Sequence, residues 1–225
     1  MKDIVISLGG SLIVPKEIDA DYIRQFRGFI MQHIEEHRFF VVCGGGSTAR
    51  KYIHAAGAVT GVKDEDKDWL GIHSTRLNAH FLRTIFAKIA HPTIIKDPTE
   101  KREIKERVII GAGWKPGWST DYVTVRLAHT YEIQHVVNLS DVDYLYDSNP
   151  KENPNAKPIE TLDWKTFCSM VGDEWIPGTN APFDPIASKY ACETNMTVII
   201  ANGRNLSNLE KIIRRQTYVG TTIKN

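Results

Sequence analysis

The chain has 225 residues, of which 42% are hydrophobic and 24% are charged, and its formal net charge at neutral pH is +1. This balance argues against a nucleic-acid-binding groove or an acidic tail. The three cysteines form no CxxC pair, so neither a zinc site nor a disulfide framework is predicted, and no apolar run approaches the roughly 20 residues of a membrane helix. We therefore expect a soluble cytosolic protein with no membrane or nucleic-acid partner.

Strands and helices are predicted to alternate along the chain. Short apolar runs predict strands at residues 4–8, 39–43, 93–95, 108–110, 136–139, 197–200 and 221–223. Apolar residues at helical spacing and capping residues predict helices at about 19–37, 48–56, 69–89, 120–128, 163–170, 184–192 and 206–214. This alternation predicts an α/β fold with a mostly parallel sheet and helices on both faces.

Four loops with ligand-binding character follow predicted strands directly, at residues 9–11, 44–48, 111–121 and 140–146. In open α/β sheets, ligands bind outside the carboxyl ends of the strands. We therefore expect all four loops to lie along one edge of the sheet.

The second of these loops contains Gly44-Gly45-Gly46. Glycines allow close approach of a ligand to the backbone, and a helix N-terminus favours an anion. We expect a helix beginning near Ala49, capped by Ser47 or Thr48, with Arg50 as an additional cation. A plain strand-to-helix turn is the alternative. A dinucleotide fingerprint, Gly44-x-Gly46-x-x-Ala49, is also present, but it leaves the other loops unexplained.

The third loop combines a tight turn with two tryptophans. Pro116-Gly117 predicts the turn, and Ser119 or Thr120 is predicted to cap the following helix, which offers backbone N–H groups to a ligand. Helix capping alone does not account for Trp114 and Trp118 in so short a segment.

Two groups of charged residues in the C-terminal half have both structural and functional interpretations. Asp184, followed by a proline, is a typical helix N-cap, and Lys189 is either a surface lysine or a cation beside a transferring phosphate. Asp141 and Asp143 follow a predicted strand. They are either turn residues or groups that orient a lysine or hold magnesium. No set of residues has the spacing of a dedicated metal site.

Together, these segments resemble the amino acid kinase family, and within it the archaeal type of uridylate kinase. Each segment is a modest signal, but they are collinear and span nearly the whole chain. The matching segments are Ser7-Leu8-Gly9-Gly10-Ser11-Leu12, Gly44-Gly45-Gly46 with Ala49-Arg50-Lys51-Tyr52-Ile53, Asp68-x-x-Gly71-Ile72, Thr75-Arg76-Leu77-Asn78-Ala79, Gly113-x-x-Pro116-Gly117-x-x-Thr120-Asp121, Asp141-Val142-Asp143 with Tyr146 and Pro150, Gly178-Thr179, Asp184-Pro185 with Lys189, and Gly220-Thr221-Thr222-Ile223.

The resemblance implies a single domain with a three-layer αβα sandwich that transfers a phosphoryl group from MgATP to UMP. It places the acceptor site in an N-terminal lobe, about residues 1–135, and the ATP site in a C-terminal lobe, about 136–225. It further implies a homo-oligomer, a hexamer built as a trimer of dimers. The long helix at residues 69–89 independently favours a subunit contact, because it carries more apolar surface than a monomer needs.

The resemblance also implies roles for individual residues. UMP would be held by Gly45, Asp68, Trp114, Lys115, Pro116, Gly117, Trp118, Ser119 and Thr120. ATP would be held by Gly10, Ser11, Gly46, Arg50, Ser140, Asp141, Tyr146 and Asn149. The catalytic residues would be Arg50, Lys189, Asp141 and Ser11.

Several positions depart from the family pattern. Ser7 stands where many members carry a lysine, Tyr144 where a glycine is usual, and Asn149 where an aspartate is usual. The acceptor loop usually carries smaller residues where this chain has its two tryptophans. Two alternatives therefore stay open: a kinase of the same fold for a small carboxylate or another phosphate, and a nucleotide- or oxyanion-binding protein with reduced catalysis.

Overall fold

The computed structural model describes residues 2–148, 152–172 and 183–225. Its strands are β1 (Lys2–Leu8), β2 (His37–Cys43), β3 (Val108–Gly111), β4 (His135–Ser140), β5 (Leu145–Tyr146), β6 (Pro158–Ile159), β7 (Thr161–Asp163), β8 (Thr197–Asn202) and β9 (Thr221–Lys224). Its helices are α1 (Gly10–Ile13), α2 (Ala20–His33), α3 (Gly46–Val59), α4 (Asp64–Ile85), α5 (Thr120–Thr130), α6 (Trp164–Val171), α7 (Pro185–Glu193) and α8 (Leu206–Ile213).

The described strands form a seven-stranded sheet in the order β3-β2-β1-β4-β8-β9-β7, and β5 and β6 pair separately. The first five strands of that order are parallel, and β9 runs antiparallel to β8. The central β1 lies between β2 and β4, with Leu8 opposite both Cys43 and Leu139. The predicted mostly parallel sheet is confirmed.

Side chains that alternate along the strands build two apolar cores, one on each face of the sheet. On one face, Ile6 and Leu8 pack with residues of α1, α2, α4 and α8. On the other face, Val5 and Phe40 pack with residues of α5, α6 and α7. Because successive residues of a strand point to opposite faces, these apolar strands are buried on both sides by helices. The architecture is a three-layer αβα sandwich, as expected.

Some predicted boundaries are wrong. The helix predicted at residues 19–37 ends at His33, because His37 already pairs with Lys2 in the sheet. The long helix begins at Asp64 rather than near residue 69, and it ends at Ile85. Its first turn contains the acidic residues 64–66, which the partial positive charge of a helix N-terminus stabilises.

The strand predicted at residues 93–95 is also wrong. Only isolated bridges, Ala90 with Val108 and Ile95 with Gly111, connect this segment to β3. Pro92 lies between the two bridges and lacks the N–H that a continuous ladder requires.

Candidate functional site

Two glycine loops meet at the carboxyl ends of β1 and β2. The amide of Gly9 donates to the carbonyl of Leu139 at 2.9 Å, and the amide of Gly44 donates to that of Leu8 at 2.9 Å. A Cβ atom at Gly10 would lie 2.0 Å from the amide nitrogen of Gly46, which itself has a φ of +65°. The two backbones therefore touch, and only glycine fits at both positions.

The start of α3 differs from the prediction. The helix begins at Gly46 with Gly45 at the N-cap, and no side chain caps it. The hydroxyl of Ser47 instead donates to the carbonyl of Lys16 at 2.9 Å, and its amide donates to the carbonyl of Val14 at 2.8 Å. The expectation that Ser47 or Thr48 caps α3 is wrong, because the segment after α1 packs against this turn and uses these donors.

Arg50 lies early in α3 and is exposed. It forms no ion pair with any residue of the described ranges. Its guanidinium is therefore free to reach an anion near the glycine loops. Gly10 and Ser11 open α1 on the other side of the contact, where both are partly exposed.

The predicted acceptor loop is fastened to α4. The carboxylate of Asp68 accepts from the amide of Gly117 at 2.7 Å, and the amide of Gly113 donates to the hydroxyl of Thr75 at 2.8 Å. Arg76 donates to the carbonyls of Gly113 and Trp114, at 3.3 and 2.8 Å. This segment of α4 thus fixes the backbone of the loop at three points.

The same helix also holds the glycine loop of β2. The side-chain amide of the buried Asn78 donates to the carbonyls of Gly44 and Gly45, at 2.8 and 3.3 Å. Sequence reasoning assigned no role to Thr75, Arg76 or Asn78. The signal that points to them is a group of polar residues at buried or half-buried positions of α4, where each polar group needs a partner.

The two tryptophans of the acceptor loop belong to a continuous aromatic stack. The ring centroids of Trp114 and Trp118 are 5.9 Å apart, those of Trp118 and Tyr122 are 4.0 Å apart, and those of Tyr122 and Tyr190 are 5.5 Å apart. The ammonium of Lys115 lies 4.1 Å from the Trp114 ring. The loop therefore rests on α5 and α7 through its aromatic side chains. The predicted cap at the start of α5 is confirmed, since Ser119 accepts from the amide of residue 122.

Ser7, the residue that replaces a lysine in the resemblance, lies beside two carboxylates. Its hydroxyl donates to Asp121 at 3.1 Å, and the other carboxylate oxygen of Asp121 accepts from the amide of Asp184 at 3.3 Å. Desolvation, and then the neighbouring Asp184, raise the pKa of Asp121 to about 7. Asp184 is the confirmed N-cap of α7, and desolvation also raises its pKa. No cation of the described residues forms an ion pair with either carboxylate.

The remaining residues expected to hold ATP lie at the end of β4 or after it. Ser140 ends that strand, and its carbonyl accepts from the amide of Gly203 at 2.9 Å. Asp141 comes next and is exposed, and Tyr146 lies in the short β5. Lys189 is exposed on α7. Asn149, Pro150 and Gly178-Thr179 lie outside the described residues.

No group of three acidic, histidine or cysteine side chains within residues 2–148, 152–172 and 183–225 is arranged to hold a metal ion. The loops after β1, β2, β3 and β4 lie along one edge of the sheet, since these strands are parallel neighbours. The fold and this edge define an α/β protein that binds its ligands at the carboxyl ends of its strands.

Comparisons with known proteins identify the group to which this chain belongs. Residues 2–202 match the amino acid kinase family. The chain is 33% identical to the uridylate kinase of Thermococcus kodakarensis, an alignment that covers 98% of this chain and 99% of that protein. It is 32% identical to the uridylate kinase of Methanospirillum hungatei, over 99% and 95% of the two chains. This chain therefore belongs to the amino acid kinase family.

Solved structures agree with this assignment. The crystal structure of uridylate kinase from Archaeoglobus fulgidus superposes with a TM-score of 0.84 at 30% identity, and it covers 99% of this chain and 100% of that chain. The structure of UMP kinase from Bacillus anthracis superposes with a TM-score of 0.79, over 99% and 95% of the two chains, at 18% identity. The latter likeness concerns the fold alone.

Proposed function

We propose that this protein transfers the γ-phosphoryl group of MgATP to UMP and releases UDP and ADP. The observation that carries the proposal is the backbone contact between Gly10 and Gly46. This contact brings the loop after β1, assigned to the transferring phosphate, against the loop after β2, which contains the acceptor residue Gly45. Relatives that match nearly the full chain and are named uridylate kinase give further support.

We assign the acceptor to the surface between α4 and the tryptophan loop. Asp68 and Gly45 lie on one side of this surface and residues 114–120 on the other, joined by the bond from Asp68 to Gly117. Backbone amides and carbonyls fixed by α4 would orient the nucleotide. The stacked Trp114 and Trp118 would form an apolar wall beside it.

We assign ATP to the loops after β1 and β4 and to the start of α3, which follows β2. The residues of this assignment are Gly10, Ser11, Gly46, Arg50, Ser140, Asp141, Tyr146 and Asn149. Magnesium binds proteins through one or two carboxylates together with substrate phosphates. The exposed Asp141 fits that requirement without a preformed cluster of three ligands. When bound, the ion would neutralise charge on the transferring phosphoryl group.

Phosphoryl transfer needs positioning and charge stabilisation more than covalent help from the protein. Because Ser7 carries no charge, the cations available to the transferring group are Arg50, Lys189 and the metal ion. Both side chains are exposed, and neither forms an ion pair with another described residue.

We also propose that the protein works in the cytosol as a homo-oligomer, a hexamer built as a trimer of dimers. None of the helices within the described residues is long and apolar enough to cross a membrane. An outward face of α4 carries Trp69 and Leu77, and large apolar side chains of this kind are common at subunit interfaces.

A coupled assay of ADP release tests the proposed activity. UMP, CMP, AMP and small carboxylic acids are offered separately as acceptors, with MgATP as donor. We expect turnover with UMP to exceed that with every other acceptor. Preference for another acceptor would contradict the substrate assignment. Tight ATP binding without turnover of any acceptor would favour the binding-protein alternative.

A further inference from the structure

A cavity of about 630 Å³ lies at the edge of the sheet opposite the glycine loops. Its floor includes Ile4, Val137 and Ile199, near the amino ends of β1, β4 and β8. Ile212 and Ile213 of α8 form one wall. A six-residue strand such as β4 spans roughly 20 Å. This amino-edge cavity is therefore separate from the proposed nucleotide site.

The cavity has the size and the floor of a small-molecule site. Pockets that enclose small ligands typically measure roughly 300–1,000 Å³ and are mostly apolar. Ile4 and Ile199 point to the same face of the sheet as the core around α2 and α8, yet both stay partly exposed. They give an apolar surface on which an aromatic or aliphatic group can pack.

The polar rim of the cavity is positively charged. Lys2, Arg215 and Lys224 line it, and none of them forms an ion pair with another described residue. The two acidic residues of the lining are already paired, Asp3 with Arg38 at 2.6 Å and Glu132 with Lys101 at 2.6 Å.

Other groups at the cavity leave this positive charge in place. Burial, and then the positive charge of Arg215, lower the pKa of His135, so this side chain is neutral near pH 7. The helices α5 and α8 both end here, and each C-terminus contributes a partial charge of about −0.5. Their sum of about −1 is smaller than the charge of the three unpaired cations.

The backbone conformation at the rim is a second observation that supports a binding site in this cavity. Glu132 and Arg215 line the cavity and adopt left-handed conformations, with φ of 60° and 56°. Each follows the end of a helix, a position where glycine is usual because it avoids the steric cost of a Cβ atom. Long charged side chains are thus held at the cavity rim at positions that disfavour them.

We propose that the amino-edge cavity binds a small organic anion, with an aromatic or aliphatic body on the isoleucine floor and a phosphate or carboxylate against Lys2, Arg215 and Lys224. The ligand therefore needs both an anionic group and an apolar body, because neither of them alone would fill both halves of the site.

Calorimetric titration of the full chain tests the ligand class. The probes are 1-naphthyl phosphate, 1-naphthylacetate, inorganic phosphate and 1-naphthol, each titrated without magnesium, first in the absence and then in the presence of excess UMP and ATP. We expect one naphthyl anion per chain, bound at least about tenfold tighter than inorganic phosphate or naphthol. The two naphthyl probes decide between phosphate and carboxylate. Equal binding of inorganic phosphate, or loss of naphthyl binding when UMP and ATP are added, would overturn the proposal.

Two variants locate the binding. Arg215→Gly keeps the left-handed backbone and removes the cation, so we expect at least about fivefold weaker naphthyl binding with no loss of thermal stability. Asn195→Gly is the matched control, because Asn195 follows α7 with a φ of 53° and does not line the cavity. Ile199→Phe narrows the floor and should abolish binding. Equal affinities in Arg215→Gly and Asn195→Gly would refute the assignment, whether or not Ile199→Phe folds.

Discussion

Arg50 and Lys189 are exposed cations that form no ion pair with another described residue, and both are assigned to the proposed phosphate site. Arg50 lies in α3 directly after the glycine loop, and Lys189 lies in α7 after the N-cap Asp184. Their exposure is what a residue that meets a charged substrate requires. It also means that their loss leaves no buried polar group unpaired.

Substitution of either cation should therefore affect turnover and leave the fold intact. We expect Arg50→Ala and Lys189→Ala each to lower kcat at least about tenfold, equivalent to about 1.4 kcal/mol of barrier. Steady-state kinetics with UMP and MgATP measure the effect, and thermal melting checks that the fold is kept. Unchanged turnover in both variants would refute the assignment of these residues.

The carboxylate of Asp121 should make stability depend on pH. Its pKa is raised from 3.8 to about 7 in the folded protein. Between these values the folded chain keeps a proton that the unfolded chain has released, so the free energy of unfolding falls as the pH rises through this window. The loss is at most about 4 kcal/mol, since one pKa unit corresponds to about 1.4 kcal/mol.

Urea denaturation at acidic and at mildly alkaline pH measures this effect. In Asp121→Asn the side-chain amide can keep the contacts with Ser7 and with the backbone of Asp184 without titrating. Over the same pH range, we expect the loss of stability in this variant to be no more than about half the loss in wild type. The loss that remains would come from titration of Asp184. Asp143→Asn, an exposed residue after β4, should behave as wild type. An identical pH dependence in Asp121→Asn and wild type would contradict the assignment.

At the scale of elements, α4 is the helix that connects the two halves of the acceptor site. Its residues Asp68, Thr75 and Arg76 hold the tryptophan loop, and Asn78 holds the glycine loop. Burial lowers the pKa of Arg76 from the usual value of an arginine guanidinium. A rigid helix thus sets the distance between the two loops.

Substitution of Arg76 should weaken the binding of UMP and leave the binding of ATP nearly unchanged. A hydrogen bond to a charged group contributes about 1.5–3 kcal/mol, so we expect Arg76→Ala to raise the KM for UMP at least about fivefold. The KM for ATP should change by less than about twofold, since the hydrogen bonds of Arg76 go to Gly113 and Trp114 on the acceptor side. The exposed His80→Ala on the same helix is the control. An equal rise in both KM values would indicate general disruption of the fold.

Some features of these elements could be predicted from the sequence, and others could not. The glycine loops, the caps at Ser119 and Asp184 and the alternation of strands and helices are local patterns, and each was predictable. The bonds from α4 were not, because Thr75 meets a partner 38 residues away and Asn78 one 34 residues away. Such contacts depend on the rotation of a helix against distant loops, which helical periodicity alone does not determine.

The boundary errors have the same origin. Ile34 continues the apolar spacing of α2, but pairing of His37 with Lys2 takes the chain into the sheet. The cap predicted at Ser47 fails because Val14 and Lys16, distant in sequence, accept its two hydrogen bonds. In both places a tertiary contact overrides a local preference.

For the whole molecule, the exposed apolar side chains of α3 and α4 support assembly. Tyr52 is 62% exposed, Val59 86% and Leu77 63%. Exposed large apolar side chains of this kind are common at subunit interfaces. The proposed oligomer would bury part of this surface.

Light scattering during size exclusion tests the assembly. We expect wild type to elute as a multiple of the 25.4 kDa chain. Leu77→Glu should lower the measured mass, because a buried unpaired carboxylate destabilises an interface. Lys88→Glu, an exposed change of larger charge on the chain segment after α4, should keep the wild-type mass. A monomeric wild type would contradict the proposal.

The central position of β1 has a consequence for synthesis on the ribosome. The neighbour β2 follows β1 at His37–Cys43, but the other neighbour, β4, follows only at His135–Ser140. Likewise, the hydroxyl of Tyr22 donates at 3.0 Å to the carbonyl of Gly203, which is synthesised much later than Tyr22. A nascent chain therefore leaves one edge of β1 unpaired until β4 has been made. The proposed ATP site is complete only after the segment that follows β4, so earlier folding relies on β1, β2 and β3 with their helices.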